Sequence, residues 1–156
     1  MRRIDCTFSM LAALVLSTLS GCGGDTPELA LAQPDFASFE ANVYPVLLRD
    51  CSFIACHGST ERFFQVFGPG RARLDPLTMP IDPPTASEVL HSYNRALSMI
   101  DARAPGESLL LRKPLSLAAG GTGHEGVDAW MRAVYVTRQE PGFVALEAWV
   151  LATPRQ

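Results

Sequence analysis

Residues 51–58 of this 156-residue chain read Cys51-Ser52-Phe53-Ile54-Ala55-Cys56-His57-Gly58. Two thiols followed at once by an imidazole are the arrangement for covalent haem attachment, usually spaced C-x-x-C-H. Cys51 and Cys56 would form thioethers with the haem vinyl groups, and His57 would be the proximal iron ligand. Here four residues separate the cysteines, a known variant, so two additional residues must bulge away from the ring edge. Gly58 follows where the backbone is expected to pass close to the porphyrin, and the segment predicts one covalent haem c per chain.

The N-terminus carries the pattern of an exported lipoprotein. A positively charged start precedes an apolar stretch at residues 10–16, which is shorter than the about 20 apolar residues that span a bilayer. The stretch leads into Leu19-Ser20-Gly21-Cys22, which resembles a bacterial lipobox. The resemblance implies a signal peptide over residues 1–21, acylation of Cys22 and a flexible tether over residues 22–34. The alternative is an ordinary secretory signal in which Cys22 has no special role.

Composition restricts the class of protein. With 47% apolar residues and a net charge of −3, the chain fits one folded domain, at residues 35–156, and does not fit a disordered protein. The 13 Lys and Arg residues are scattered and form no basic stripe, so we expect no nucleic-acid partner. Four cysteines are too few for a disulfide-dense scaffold. Signal cleavage would remove Cys6, and acylation would use Cys22, which leaves only the two cysteines of the 51–58 segment in the domain.

Three other interpretations of the cysteine–histidine segment stay open. A zinc site would need further ligands, and the other histidines of the chain are His91 and His124. A Cys51–Cys56 disulfide would suit an oxidising compartment and would leave His57 without a role. A cysteine nucleophile paired with His57 is disfavoured, because neighbours in sequence rarely face each other productively. The export signal and the order thiol, thiol, imidazole favour haem.

Apolar residues at helical spacing, preceded by helix-capping residues, predict an all-α fold. The first helix follows Asp35, and Pro45 predicts a kink or restart near residues 41–44. Seven of the 17 residues from 68 to 84 are Gly or Pro, which predicts an irregular loop. The other predicted helices begin at Thr85, with Glu88 completing a capping box, at Leu109 and near Pro141. The only strand signal is at residues 133–136.

Three further stretches carry a family resemblance. They are Phe39-x3-Val43-x-Pro45-Val46-Leu47 before the cysteines, Ser108-Leu109-Leu110-Leu111-Arg112-Lys113-Pro114, and Pro141-Gly142-Phe143-x-Ala145-Leu146-x-Ala148-Trp149-Val150. Together with the C-x4-C-H motif they resemble the small c-type cytochrome domains of bacterial lipoproteins, of planctomycete and myxobacterial type, over residues 36–152. The resemblance implies N- and C-terminal helices packed around a single covalent haem, with long Gly/Pro-rich loops. Those relatives usually carry His-Gly-Gly in the distal loop, where this chain has His124-Glu125-Gly126.

The sixth iron ligand has more than one candidate. His124 lies in a loop whose glycines would let the backbone approach a flat cofactor. Met79 is the alternative, because Met79-Pro80 resembles the step that supplies the axial sulfur in many small cytochromes. His91 is expected to be a solvent-exposed helix residue. A second imidazole would give a lower potential than methionine, and an open position would admit a small gas.

We therefore expect a membrane-anchored mono-haem cytochrome that transfers one electron between redox proteins in the periplasm, on the outer membrane. We do not expect an enzyme, because the sequence carries no acid–base dyad, phosphate-binding loop or serine nucleophile elbow. One alternative is a haem lipoprotein whose open or labile sixth site senses a gas. Another is a haem-free lipoprotein with a Cys51–Cys56 disulfide, serving as a binding or structural module.

Overall fold

The computed structural model describes residues 33–124, 127 and 131–152. The helices are α1 (Phe36–Ser38, a π-helical turn Phe39–Val43, and Tyr44–Asp50), α2 (Ala86–Leu97), α3 (Leu109–Arg112) and α4 (Pro141–Leu151), with 3-10 turns at Pro105–Glu107 and Leu117–Ala119. The described residues form no strand, and the expected one is reduced to an isolated bridge between Leu115 and Tyr135. The predicted all-α fold is confirmed for this part of the chain. The predicted signal peptide, Cys22 and most of the predicted tether lie outside the described residues.

Helix α1 has the start and the irregularity that its sequence predicts. The Asp35 carboxylate caps it by accepting a hydrogen bond from the Ser38 N–H at 2.6 Å. Pro45 has no N–H to donate to the Ala41 carbonyl, so the regular hydrogen-bond ladder is interrupted there. The π-helical turn Phe39–Val43 lies immediately before this position, and such turns are common sites of helix kinks.

Aromatic side chains join α1, α2 and α4 into one core. The ring of Phe39 lies 5.2 Å from that of Trp149 and 5.4 Å from that of Tyr93, between ring centroids. The Trp149 indole donates to the Asp35 carbonyl at 2.9 Å, and the Tyr93 hydroxyl donates to the Pro34 carbonyl at 2.8 Å. The first and last helices therefore pack together. Pro34, which the sequence analysis placed in the tether, is buried and already belongs to the packed domain.

One buried arginine fixes the loop at residues 68–84. Arg73 forms a bidentate ion pair with Glu88 of α2, with Nε–Oε1 and Nη2–Oε2 distances of 2.7 and 2.8 Å. Both side chains are almost completely buried. The remaining Arg73 donors reach the backbone carbonyls of Met79, Asp82 and Pro83. The loop is irregular, as predicted, but the buried guanidinium of Arg73 holds it in one conformation.

The Arg73–Glu88 pair predicts a loss of stability in acid. The hydrogen bonds from Arg73 lower the pKa of Glu88 from 4.5 to about 2, and those from the N–H groups of Thr85 and Leu74 add to them against the effect of burial. The unfolded chain binds this proton at the higher pKa. The pair's contribution is therefore fully present above about pH 4.5 and is lost as the pH falls through 2. The pKa difference corresponds to about 3 kcal/mol of unfolding free energy.

Glu88→Gln should therefore lower the free energy of unfolding at pH 7 by about 3 kcal/mol or more, because it also leaves Arg73 buried without its counter-ion. The dependence of stability on pH between about 4.5 and 2 should become shallower. Urea unfolding at a series of pH values measures both effects, with Glu40→Gln at an exposed position of α1 as the control. An unchanged pH profile in Glu88→Gln would contradict the assignment.

Candidate functional site

The cysteine–histidine segment forms a tight loop directly after α1. The Cys51 N–H continues the helix to the Leu47 carbonyl at 3.0 Å, and the Cys56 N–H donates to the Phe53 carbonyl at 2.8 Å. The His57 N–H then donates to the Cys51 carbonyl at 3.1 Å, which brings the end of the motif back beside its start. Between the cysteines, Ser52 is completely buried, whereas Phe53 and Ile54 are 53% and 68% exposed. That the additional residues bulge away from a haem edge stays a prediction.

Gly58 is required by the motif's own backbone. A Cβ atom at this position would lie 1.9 Å from the Ser52 carbonyl oxygen, far inside contact distance. The Gly58 N–H also donates to the Phe53 carbonyl at 3.0 Å. The backbone of the loop is therefore sufficient to exclude a side chain here, and the expected approach to a porphyrin stays a prediction. Gly58 shapes the loop that presents His57.

A mainly apolar cavity of about 250 Å³, which we call the motif cavity, opens beside this loop. One wall is formed by Cys51, Cys56 and His57. Helices and their ends supply the other walls through Leu47 of α1, Met99 after α2, Leu110 of α3 and Leu146 of α4. The cavity thus lies where the helices meet, at the C-terminal end of α1. An apolar space with a few converging polar groups is typical of a small-molecule or cofactor site.

His57 and His124 come together at the motif cavity. The Nδ1 atom of His57 lies 2.9 Å from the Phe64 carbonyl oxygen. A carbonyl partner places the proton on Nδ1 and leaves the Nε2 lone pair for a metal, as in most metal-binding histidines. The ring centroids of His57 and His124 are 5.8 Å apart, with 26° between the ring planes. The two rings therefore form a stacked pair beside the cavity.

The protonation states fit such a role. Burial lowers the pKa of His57, and the neighbouring His124 and Arg62 lower it further, against the opposing hydrogen bond to Phe64. His57 is therefore held in the neutral form that binds metals. Burial raises the pKa of Cys51 to about 12, and the Asp50 carboxylate adds to this effect. Cys51 is therefore a protonated thiol, and the structure has both cysteines of the motif as free thiols.

The other ligand candidates lie elsewhere. The side chain of Met79 is 59% exposed and does not line the motif cavity. Its carbonyl accepts a hydrogen bond from Arg73, and its N–H donates to Asp82, so moving Met79 to the cavity would break both bonds. His91 was expected to be solvent-exposed but is half-buried, and its ring packs edge-on against Phe67 at 4.8 Å between centroids. Of the candidates for the sixth ligand, His124 is the one that the fold places beside His57.

The sequence analysis missed Asp50, the last residue of α1. Its carboxylate accepts hydrogen bonds from the Tyr135 hydroxyl at 2.7 Å and from Arg49 at 2.6 Å. Burial raises the pKa of Asp50, but these hydrogen bonds outweigh burial and lower it overall. Asp50 lines both the motif cavity and an adjoining cavity of about 440 Å³, which share Cys56 and Val134. No sequence pattern indicated this pair, because its members are 85 residues apart.

The described residues contain neither a metal-binding cluster nor a membrane-spanning helix. The described residues bring together no group of three or more His, Cys, Asp or Glu side chains that could hold a metal ion. Within the same ranges, no helix is long and apolar enough to cross a membrane. Glu125 and Gly126, which complete the expected distal loop, lie outside the described residues.

Comparisons of this chain with protein-family models, with curated proteins and with solved structures found no match. The cytochrome resemblance therefore stays a prediction, and a functional assignment has to rest on the chemistry of the motif cavity.

Proposed function

We propose that this chain is a mono-haem c-type cytochrome, anchored to a membrane by lipid, that transfers one electron at a time in the periplasm. The observation that carries the proposal is the pairing of His57 with His124 at an apolar cavity whose wall also holds Cys51 and Cys56. Covalent attachment and axial ligation need two thiols and one or two imidazoles, and all four groups meet at this cavity.

The residues at the motif cavity fit a covalently bound haem. Cys51 and Cys56 would each add the S–H bond across one vinyl group, forming a thioether. His57 and His124 would be the protein ligands of the iron. When bound, the haem supplies an iron that alternates between the ferrous and ferric states. The apolar side chains around the histidines are suited to the flat, mainly apolar porphyrin ring and would keep water away from the metal.

Two imidazole ligands favour electron transfer over gas binding. If His57 and His124 both bound the iron, they would leave no position for a substrate or gas. The Phe64 carbonyl holds the His57 ring through Nδ1, so this imidazole keeps its orientation while the charge of the iron changes. A second imidazole also gives a lower potential than a methionine in that position. The partners are accordingly redox proteins, and no catalytic role is assigned to the chain.

The membrane anchor is the second part of the proposal. Acylation of Cys22 would tie the domain to a bacterial membrane facing the periplasm, and we place it on the outer membrane. Each buried CH₂ of an acyl chain contributes about 0.8 kcal/mol, so a multiply acylated cysteine holds a small domain firmly. The domain would then meet its redox partners at the membrane surface.

The test is the full-length protein produced with a cytochrome c maturation system. Peroxidase staining after a denaturing gel should show covalently bound haem, and carbon monoxide should leave the spectrum of the reduced protein unchanged. Absence of the stain would refute the cytochrome assignment and favour a haem-free lipoprotein. A spectrum that shifts with carbon monoxide would instead favour a gas-binding haem protein with an open sixth site.

A further inference from the structure

Three large apolar side chains are displayed on the loop that Arg73 holds. Leu77 and Ile81 are 88% and 86% exposed, the two highest values among large apolar side chains in the described residues, and Met79 lies between them. Soluble proteins rarely group large apolar side chains on the surface unless the group binds something. We call these three residues the apolar loop.

The backbone of the apolar loop is fixed. Arg73 donates to the carbonyls of Met79 and Asp82 at 2.5 and 3.0 Å. The Gly70 N–H donates to the Pro80 carbonyl at 2.7 Å, and the Met79 N–H donates to the Asp82 carboxylate at 3.1 Å. These backbone polar groups already have hydrogen-bond partners. The free energy needed to move the loop out of water is therefore smaller than for an unpaired backbone. The loop thus presents its apolar side chains in a constant arrangement.

The charge of the apolar loop indicates what it would contact. Residues 74–82 contain no Lys or Arg, and the charge of Arg73 is neutralised by Glu88. The carboxylates of Asp75 and Asp82 accept hydrogen bonds from N–H groups of the loop itself. A surface without basic side chains does not attract anionic headgroups. Insertion of the apolar side chains into lipid is the interaction that this surface supports.

Helix α2 connects the apolar loop to the end of the tether. Pro34, the first buried residue in the described part of the chain, is held by Tyr93 of α2, and Arg73 is held by Glu88 of the same helix. Five residues separate Tyr93 from Glu88, which is about 8 Å along the helix axis. The chain from Cys22 to Pro34 spans at most about 40 Å when extended. A domain acylated at Cys22 therefore keeps the apolar loop within reach of the lipid.

We propose that Leu77, Met79 and Ile81 insert into the lipid surface to which the chain is tied, and that this contact orients the domain. The inference rests on the proposed acylation of Cys22. The base of the loop adjoins the motif, because the Ala72 N–H donates to the Gly58 carbonyl at 2.9 Å. Insertion of the apolar loop would therefore set how the motif cavity faces the membrane surface.

Lipid photolabelling of the full-length acylated protein tests this contact. Phosphatidylcholine vesicles would carry a lipid with a diazirine in its acyl chain, and mass spectrometry would locate the cross-links after illumination. Labelling of residues 74–82 should exceed labelling around Leu117, which is 74% exposed in a different turn, by about tenfold, because only inserted residues meet the acyl chains. Leu77→Ser combined with Ile81→Ser should remove this excess, and Leu117→Ser should leave it unchanged.

Labelling of residues 74–82 at the level of Leu117 would overturn the inference and would point to a protein contact at the apolar loop. Protein that does not float with the vesicles would refute the anchor and, with it, the membrane contact. Haem staining of the same sample reports separately on the cytochrome assignment. The three results are therefore distinguishable.

Discussion

Replacing Cys51 and Cys56 together by Ala should abolish covalent haem, so that the peroxidase stain of a denaturing gel is lost completely. Both thiols lie on the wall of the motif cavity, and thioethers to them are the only covalent links proposed between chain and cofactor. Each single variant should keep a weaker stain, because one thioether still survives denaturation. The single variants thus separate loss of attachment from failure to fold.

Cys22→Ser is the matched control for the cysteine variants. It removes the thiol that the lipobox resemblance assigns to the lipid and leaves both motif cysteines in place. We expect full haem staining and loss of the protein from the membrane fraction, the opposite of the result for the motif variants. Undiminished staining in the Cys51→Ala, Cys56→Ala double variant would show that haem is attached elsewhere or not through thioethers.

Replacing His124 by Ala should open the sixth coordination position. The reduced wild-type protein is expected not to bind carbon monoxide. The variant should bind about one equivalent, because it lacks one of the two imidazoles at the motif cavity. Absorption spectra of the reduced protein with and without carbon monoxide measure the change. His124→Met should close the position again and raise the reduction potential, since a thioether ligand favours the ferrous form.

Met79→Leu is the control for this experiment. Its side chain lies on the apolar loop and does not line the motif cavity, so we expect the wild-type spectrum and no binding of carbon monoxide. The opposite pattern, with carbon monoxide binding in Met79→Leu and not in His124→Ala, would assign the sixth position to Met79. That result would require the loop held by Arg73 to rearrange when haem is present.

Features encoded within a few residues were predictable from the sequence. The Asp35 cap, the irregularity before Pro45 and the Thr85–Glu88 capping box all depend on hydrogen bonds between residues at most five positions apart, and all three are present. The C-x4-C-H motif is likewise a local pattern, and the order of its side chains predicts haem attachment.

Features that depend on distant residues required the structure. The sequence left His124 and Met79 as rival ligands, because both stand in glycine- or proline-rich segments with no periodic pattern. The fold separates them, since it places His124 beside His57, and the buried Arg73 turns Met79 outward. The hydrogen bond between Asp50 and Tyr135 could not be predicted either, because the two residues are 85 positions apart.

The sequence by itself determined the helices and supplied the predictions of haem attachment and of an anchor, because short-range hydrogen bonds and side-chain order are local patterns. Only the tertiary structure decided which second imidazole meets His57 and that Gly58 serves the loop's own backbone. These choices depend on packing between segments far apart in the chain. His57 and His124 are too far apart along the sequence for a local pattern to predict their contact. The contact exists only once the helices have assembled around the cavity.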